Sequence, residues 1–189
     1  MEFEDLFKEL PTFETNRLIL RKITFSDLDD IYEFSSDPEV AQHMTWEVNK
    51  SKDETLNNFI KVVIEEYEKG QSATWAIVYK ESNKVIGTCS FVDWSNEHKK
   101  AEIGYVLNKS YWGKGLASEA IIKIIQYGFE TVKLNRIEGG CDIDNIGSEK
   151  VMVKVGFEYE GTLRKNEFIK GEFRDTKLFS ILNEDLFFN

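Results

Sequence analysis

The chain has 189 residues, 41% hydrophobic and 13% aromatic side chains, and a formal net charge of −10. That composition excludes a disordered chain, and a uniformly acidic protein repels phosphate backbones, which argues against nucleic-acid binding as a primary role. No apolar run approaches the roughly 18 residues of a membrane span, and the acidic start Met1-Glu2-Phe3-Glu4-Asp5 reads as lacking a secretory signal.

In chain order, Arg17–Ile23 alternates basic or polar with apolar residues and predicts a first strand. Thr24-Phe25-Ser26-Asp27 offers N-cap residues for a helix whose face is Leu28, Ile31 and Tyr32. Pro38 interrupts it before a short second turn through Val40 and Met44. Ser51-Lys52-Asp53-Glu54 has the Ser-x-x-Glu form of a capping box. Behind it, Leu56, Phe59, Ile60, Val63, Ile64 and Tyr67 follow the i, i+3, i+4, i+7 spacing of one helical face, closed by Gly70. Thr74–Tyr79 and Val85–Trp94 read as strands about a turn at Glu81-Ser82-Asn83. After a polar loop, Ala101–Leu107 is mostly apolar and therefore a central strand. The period then changes, and Ala120, Ile121, Ile124, Ile125, Gly128, Phe129 and Val132 mark a long amphipathic helix beginning at Gly115. Arg136–Ile143 is a strand. Asp144-Asn145 caps a short helix through Val155, which Gly156 ends in the left-handed conformation. Glu158–Ile169 and Phe173–Leu182 form a hairpin about Gly171. The strand–helix–strand centre implies a mixed sheet with a right-handed crossover.

The two cysteines, Cys89 and Cys141, lie in β-like stretches without a partner at metal-ligand or redox spacing. Both read as reduced core thiols, with the cytoplasm as the expected compartment. His43 and His98 are too few and too scattered for a histidine-based metal site. Chemistry concentrates where strand gives way to helix, in Tyr111–Ala117. Free N–H groups and a partial positive charge at a helix start, with glycines that admit a ligand to the backbone, make an anion cradle suited to a phosphate, to which Lys114 adds charge. The G-x-x-x-x-G-K-S/T loop is absent, and Gly113-x-Gly115-x-x-Ser118 lacks the last glycine of a dinucleotide fingerprint. Taken alone, the segment reads equally as an ordinary glycine-containing loop.

With its flanks the segment resembles the GNAT superfamily of acyl-CoA-dependent N-acetyltransferases. Trp112-Gly113-Lys114-Gly115-Leu116-Ala117 is similar to the family's pyrophosphate loop, Arg/Gln-x-x-Gly-x-Gly/Ala. Trp112 stands at the Arg/Gln position, as in the RimJ/RimL-like group of ribosomal-protein N-terminal acetyltransferases. Thr15–Arg21 (TNRLILR), Ile86-Gly87, Ala101–Tyr105 (AEIGY), Asn145–Ser148 (NIGS) and Gly156-Phe157 agree with family signatures in the same order. The resemblance implies one domain over residues 1–189 with a core of about 15–182. Its fold would be α/β (α+β): a mixed, mostly antiparallel sheet of six to seven strands, the fourth and fifth splayed, flanked by four or so helices.

The resemblance also implies acetyl-CoA as co-substrate, with no metal. Val106 and Leu107 would meet its pantetheine arm through their backbone, and Trp112, Gly113, Lys114, Gly115, Leu116 and Ala117 its pyrophosphate. Asn145 and Ser148 would approach from the other side. Glu102 is the expected general base, acting through water; the alternative is a carboxylate paired on a sheet face. Met152 stands where many members place a proton-donating tyrosine, so Ser148 takes the place beside the thiol, and an N–H near Leu107 would hold the oxyanion. Gln42–Trp46 and Glu167–Asp175 are expected to wall the acceptor cleft. Trp46, Trp94 and Tyr105 are candidate wall residues, Trp94 the one best read as core. The expected acceptor is a primary amine, foremost the N-terminal α-amine of a protein. A small-molecule or antibiotic amine and a non-catalytic acyl-CoA-binding module are the alternatives. Neither nucleic acid nor membrane is expected as a partner, and monomer and homodimer remain open.

Overall fold

The computed structural model describes residues 3–187. Its strands are β1 (Phe13–Glu14), β2 (Leu18–Arg21), β3 (Ala73–Tyr79), β4 (Lys84–Ser95), β5 (Lys100–Leu107), β6 (Arg136–Asp142), β7 (Glu158–Ile169) and β8 (Glu172–Leu182). They form one sheet in the order β1-β2-β3-β4-β5-β6-β8-β7. The β5–β6 pair is parallel and its neighbours on either side are antiparallel. The helices are α1 (Phe3–Lys8), α2 (Leu28–Ser35), α3 (Pro38–Ala41), α4 (Lys52–Thr55), α5 (Lys61–Lys69), α6 (Leu116–Tyr127) and α7 (Ile146–Lys154). Leu56–Ile60 joins α4 to α5 as a π turn, and Gly128–Val132 extends α6 in the same way. No helix among the described residues is long and apolar enough to cross a membrane.

The local signals act as their chemistry dictates. Asp27 accepts from the Thr24 N–H at 2.8 Å and pairs in a fork with Arg21 at 2.8 Å through both oxygens, fixing the turn into α2. Ser51 Oγ accepts from the Glu54 N–H at 3.2 Å, but the Glu54 carboxylate takes the Lys50 N–H at 2.6 Å in place of the Ser51 N–H, so the expected box forms only by half. Gly70 and Gly156 end their helices at φ +69° and +100°. The sheet has eight strands where six to seven were expected. The addition is β1, two residues long and too short to show a period; Phe13 secures it, its ring packed at a tilt 5.3 Å from Tyr127 and 5.9 Å from Trp75. Helix α1 was likewise not predicted. Its six residues hold place through Phe3 and Phe7, the latter packed on Phe91 and Trp94.

The feature that organises the site is the incomplete pairing of β5 with β6. Their register runs from Lys100↔Arg136 to Ile103↔Gly139 and stops. Gly104–Leu107 and Gly140–Asp142 then diverge, while β5 stays paired with β4 and β6 with β8. Met152 of α7 wedges over the point of divergence: a Cβ on Gly139 would lie 2.8 Å from its sulfur.

Candidate active site

A cleft of about 570 Å³ follows this divergence, lined by Tyr105–Leu107 of β5, by the loop into α6 and by the inner side of α7. Asn108 donates its N–H to Ile86 O of β4 at 2.7 Å. Strand alternation therefore turns the N–H of Leu107 the other way, towards the cleft. The Leu107 carbonyl on that edge is taken by the Trp112 indole N–H at 2.7 Å, which ties the loop to the end of β5.

Gly113 and Gly115 both adopt positive φ, +72° and +73°, a conformation that costs an ordinary residue about 1–2 kcal/mol. They turn the chain so that Leu116, Ala117 and Ser118 begin α6 with their free N–H groups at the cleft. The loop is held from behind. Arg17 donates to the Lys114 carbonyl at 2.9 Å and to Glu119 at 2.7 Å, and the Thr15 hydroxyl donates to Glu119 at 2.6 Å. Burial opposes ionisation of Glu119, but the hydrogen bonds from Thr15 and Arg17 outweigh it and hold its carboxyl below the usual range. The first-strand segment Thr15–Arg17 thus braces the cradle, a link between distant residues that no local pattern reveals.

Helix α7 forms the opposite wall. Asn145 caps it, its Oδ1 accepting from the Ser148 N–H at 3.0 Å. Ser148 Oγ lies 2.7 Å from the Tyr105 hydroxyl, which also donates to the Ser148 carbonyl at 3.0 Å. Burial pushes the Tyr105 phenol above its ordinary pKa, against the effect of the Ser148 contact. Burial, reinforced by Glu149, pushes the adjacent Cys141 thiol up to about 11, and burial also raises Cys89, so both remain neutral thiols at pH 7.

Glu102 occupies the other face of β5. By strand alternation it points away from Tyr105, and it does not line the cleft. Its carboxylate reaches over the divergence itself: a Cβ on Gly140, the first β6 residue beyond the pairing, would lie 3.6 Å from Glu102 Oε1. Burial raises its pKa, and the Glu138, Asp93 and Glu167 carboxylates raise it further against Lys100. Glu167, on the tail hairpin, accepts from Thr176 Oγ1 at 3.3 Å.

The cradle residues Trp112, Gly113, Gly115, Leu116 and Ala117 therefore meet Val106, Leu107, Asn145 and Ser148 around one cleft, with Glu102 behind it. Lys114 does not line the cleft; its ammonium stacks 5.0 Å over the Tyr111 ring. Of the candidate wall aromatics, Tyr105 lines the cleft, whereas Trp46 packs on the core and Trp94 stands edge-on to Phe7 at 4.9 Å. Gln42, His43 and Met44 reach the cleft, and Lys170 of the tail hairpin donates to Ala41 O at 2.6 Å, bringing the two expected walls together. The sequence reading missed Arg17, Lys150 and Lys154. All three are ordinary basic residues until the fold sets them at the cradle.

Residues 17–158 match the acetyltransferase (GNAT) domain family. The chain is 38% identical over 180 residues to the uncharacterized N-acetyltransferase p20 of Bacillus licheniformis, covering 93% of this chain and 98% of that protein. It is 28% identical over 141 residues to the ribosomal-protein-serine acetyltransferase of Escherichia coli K12, covering 75% and 78%. Among solved structures, a GNAT-family acetyltransferase from Bacillus anthracis is 31% identical with a TM-score of 0.81, covering 92% of this chain and 99% of that one. The microcin C7 self-immunity acetyltransferase MccE, solved with acetyl-CoA and AMP, is 27% identical with a TM-score of 0.80, covering 89% and 93%. The splayed parallel pair, the glycine cradle at the start of α6 and these matches lead to one conclusion: the chain belongs to the GNAT family of N-acetyltransferases.

Proposed function

We propose that this acetyltransferase moves the acetyl group of acetyl-CoA directly to the N-terminal α-amine of a protein. The observation that carries the reading is the divergence of β5 and β6, which joins an anion cradle on one side of the sheet to a carboxylate on the other. The residues fit the donor. The free N–H groups of Gly113–Ala117 suit a pyrophosphate, and the edge of β5 at Tyr105, two residues before Leu107 and facing the same way, suits an amide laid alongside it as a short additional strand. Asn145 and Ser148 suit the thiol end.

The donor supplies an already activated thioester, so no covalent enzyme intermediate is needed. The new bond joins nitrogen to the acetyl carbon as the carbon–sulfur bond breaks. Glu102 collects the proton leaving nitrogen, through water, and its raised pKa brings it closer to a working base at neutral pH. The Leu107 N–H holds the oxyanion. Ser148 turns its hydroxyl proton from the Tyr105 oxygen to the departing sulfur, while the Tyr105 hydroxyl stays held by the Ser148 carbonyl. Glu102, with Asp93 and Glu167 near it, draws a cationic amine to this face, whereas Glu138 is taken by Arg136 at 2.7 Å and Lys100 at 3.1 Å. An α-amine, with a pKa near 8 against about 10.4 for lysine, is the easier one to deprotonate there. The ribosomal-protein-serine acetyltransferase among the relatives favours a protein as the acceptor. Two neutral thiols suit a reducing compartment such as the cytoplasm.

A screen of N-terminal peptides and small amines, reading CoA release and product mass, tests the proposal. Peptides acetylated at the α-amine are expected. Preference for a small amine would replace the acceptor class, and binding of acetyl-CoA without turnover on any amine would make the chain a sensor module.

A further inference from the structure

The anion cradle has a second wall that the loop motif does not include. A Cβ placed on Gly115 would lie 3.4 Å from Lys154 Nζ and 3.8 Å from Arg17 Nη2, so two cations converge on the point where the backbone N–H groups begin. Their situations differ. Arg17 is neutralised by Glu119 at 2.7 Å and braced on the Lys114 carbonyl. Lys154 has no carboxylate partner among the described residues, is exposed, and faces the cleft with Lys150 one turn before it on α7. In a chain of net charge −10, an unpaired ammonium over a bed of free N–H groups is a place for an anion.

We infer that Lys154 closes the cradle from α7 and binds the pyrophosphate of the acetyl donor, making α7 a reader of the phosphorylated end of that donor. The inference rests on acetyl-CoA being the donor. It goes further in giving α7 two tasks. Ser148 and Asn145 at its start face the thiol end, and Lys154, six residues or about 9 Å along the axis from Ser148, faces the phosphates. A lysine in the last turn of a helix also complements the helix dipole, and the test separates that structural role from ligand binding.

Calorimetric titration of acetyl-CoA and acetyl-dephospho-CoA, with ligand-observed NMR for the weaker, phosphate-free acetyl-pantetheine, reads the effect without turnover. Lys154→Met is expected to weaken acetyl-CoA and acetyl-dephospho-CoA alike by about tenfold, the scale of one partly solvated charge-assisted contact. Acetyl-pantetheine binding should not change, and Lys154→Arg should keep acetyl-CoA affinity to within about twofold. Because Lys154 is exposed, the unliganded melting temperature of Lys154→Met should match the parent. An unchanged acetyl-CoA affinity would overturn the inference, as would equal loss for all three donors, which marks a structural role. Loss confined to acetyl-CoA would assign the charge to the ribose phosphate instead and equally overturn it. Failure of the parent protein to bind acetyl-CoA at all would overturn the proposed function, a result distinguishable from each of these.

Discussion

Glu102 shows how one side chain's environment sets both chemistry and stability. Its carboxylate is half-buried over the gap between β5 and β6, with Glu138, Asp93 and Glu167 adding like charge. Its pKa in the folded chain is therefore raised, and the sign of the linkage follows. The stability associated with its protonated form is present below the ordinary carboxylate range and lost as pH rises through the raised value. At neutral pH an ionised Glu102 thus opposes folding while it serves as base. Glu102→Gln is predicted to lower turnover of an α-amine by about a hundredfold or more while leaving acetyl-CoA affinity unchanged. It should also raise the melting temperature at pH 7–8 by about 1–3 °C, a gain that disappears near pH 4. Parallel kinetics, titration calorimetry and thermal melts over pH check this; a fall in melting temperature at pH 7 would show that the charge is well solvated or paired. A carboxylate on a mostly apolar strand was legible in the sequence. Its three acidic neighbours were not, because they come from β4, β6 and β7.

At the scale of elements, the donor edge of β5 depends on how closely β4 passes behind it. Gly87 of the Ile86-Gly87 signature lies so near that a Cβ there would sit 2.2 Å from Val106 O and 2.9 Å from Leu107 Cα, both backbone. Backbone cannot yield as a flexible side chain can. Gly87→Ala is therefore predicted to destabilise the fold by about 2–3 kcal/mol, seen as a melting temperature lower by roughly 5–10 °C. It should also weaken acetyl-CoA binding, because the displaced segment, Val106–Leu107, lines the cleft. A melt and a titration on the same variant check both. The elements themselves were largely visible beforehand: the capping residues, the i, i+3, i+4 faces and the hairpin glycine each act within a few residues. Helix α1 and β1 escaped because six residues and two residues are too short for a period, and they are held by ring packing across the core.

At the scale of the whole molecule, the cleft unites β5, the loop into α6, α7 and the α3 loop, so a ligand that fills it bridges segments far apart in the chain. A ligand bound only by the folded state stabilises it by about 2.7 kcal/mol at a hundredfold excess over Kd. Acetyl-CoA at that excess is predicted to raise the melting temperature by about 5–10 °C, measured by differential scanning fluorimetry; no shift at millimolar ligand would exclude it as the donor. Neighbours along the chain suffice for the strand and helix periods, the left-handed Gly156 that ends α7 and the cradle at the start of α6. The family resemblance rests on the same ordered motifs. The assembled fold is what parts β5 from β6 after Ile103 and Gly139, braces the cradle on Thr15 and Arg17 through Glu119, and sets Lys154 over Gly115. These depend on contacts between residues a hundred or so positions apart, or between the two walls of one cleft. Residue identity permits such contacts, and only the packing of the whole sheet and its helices selects them.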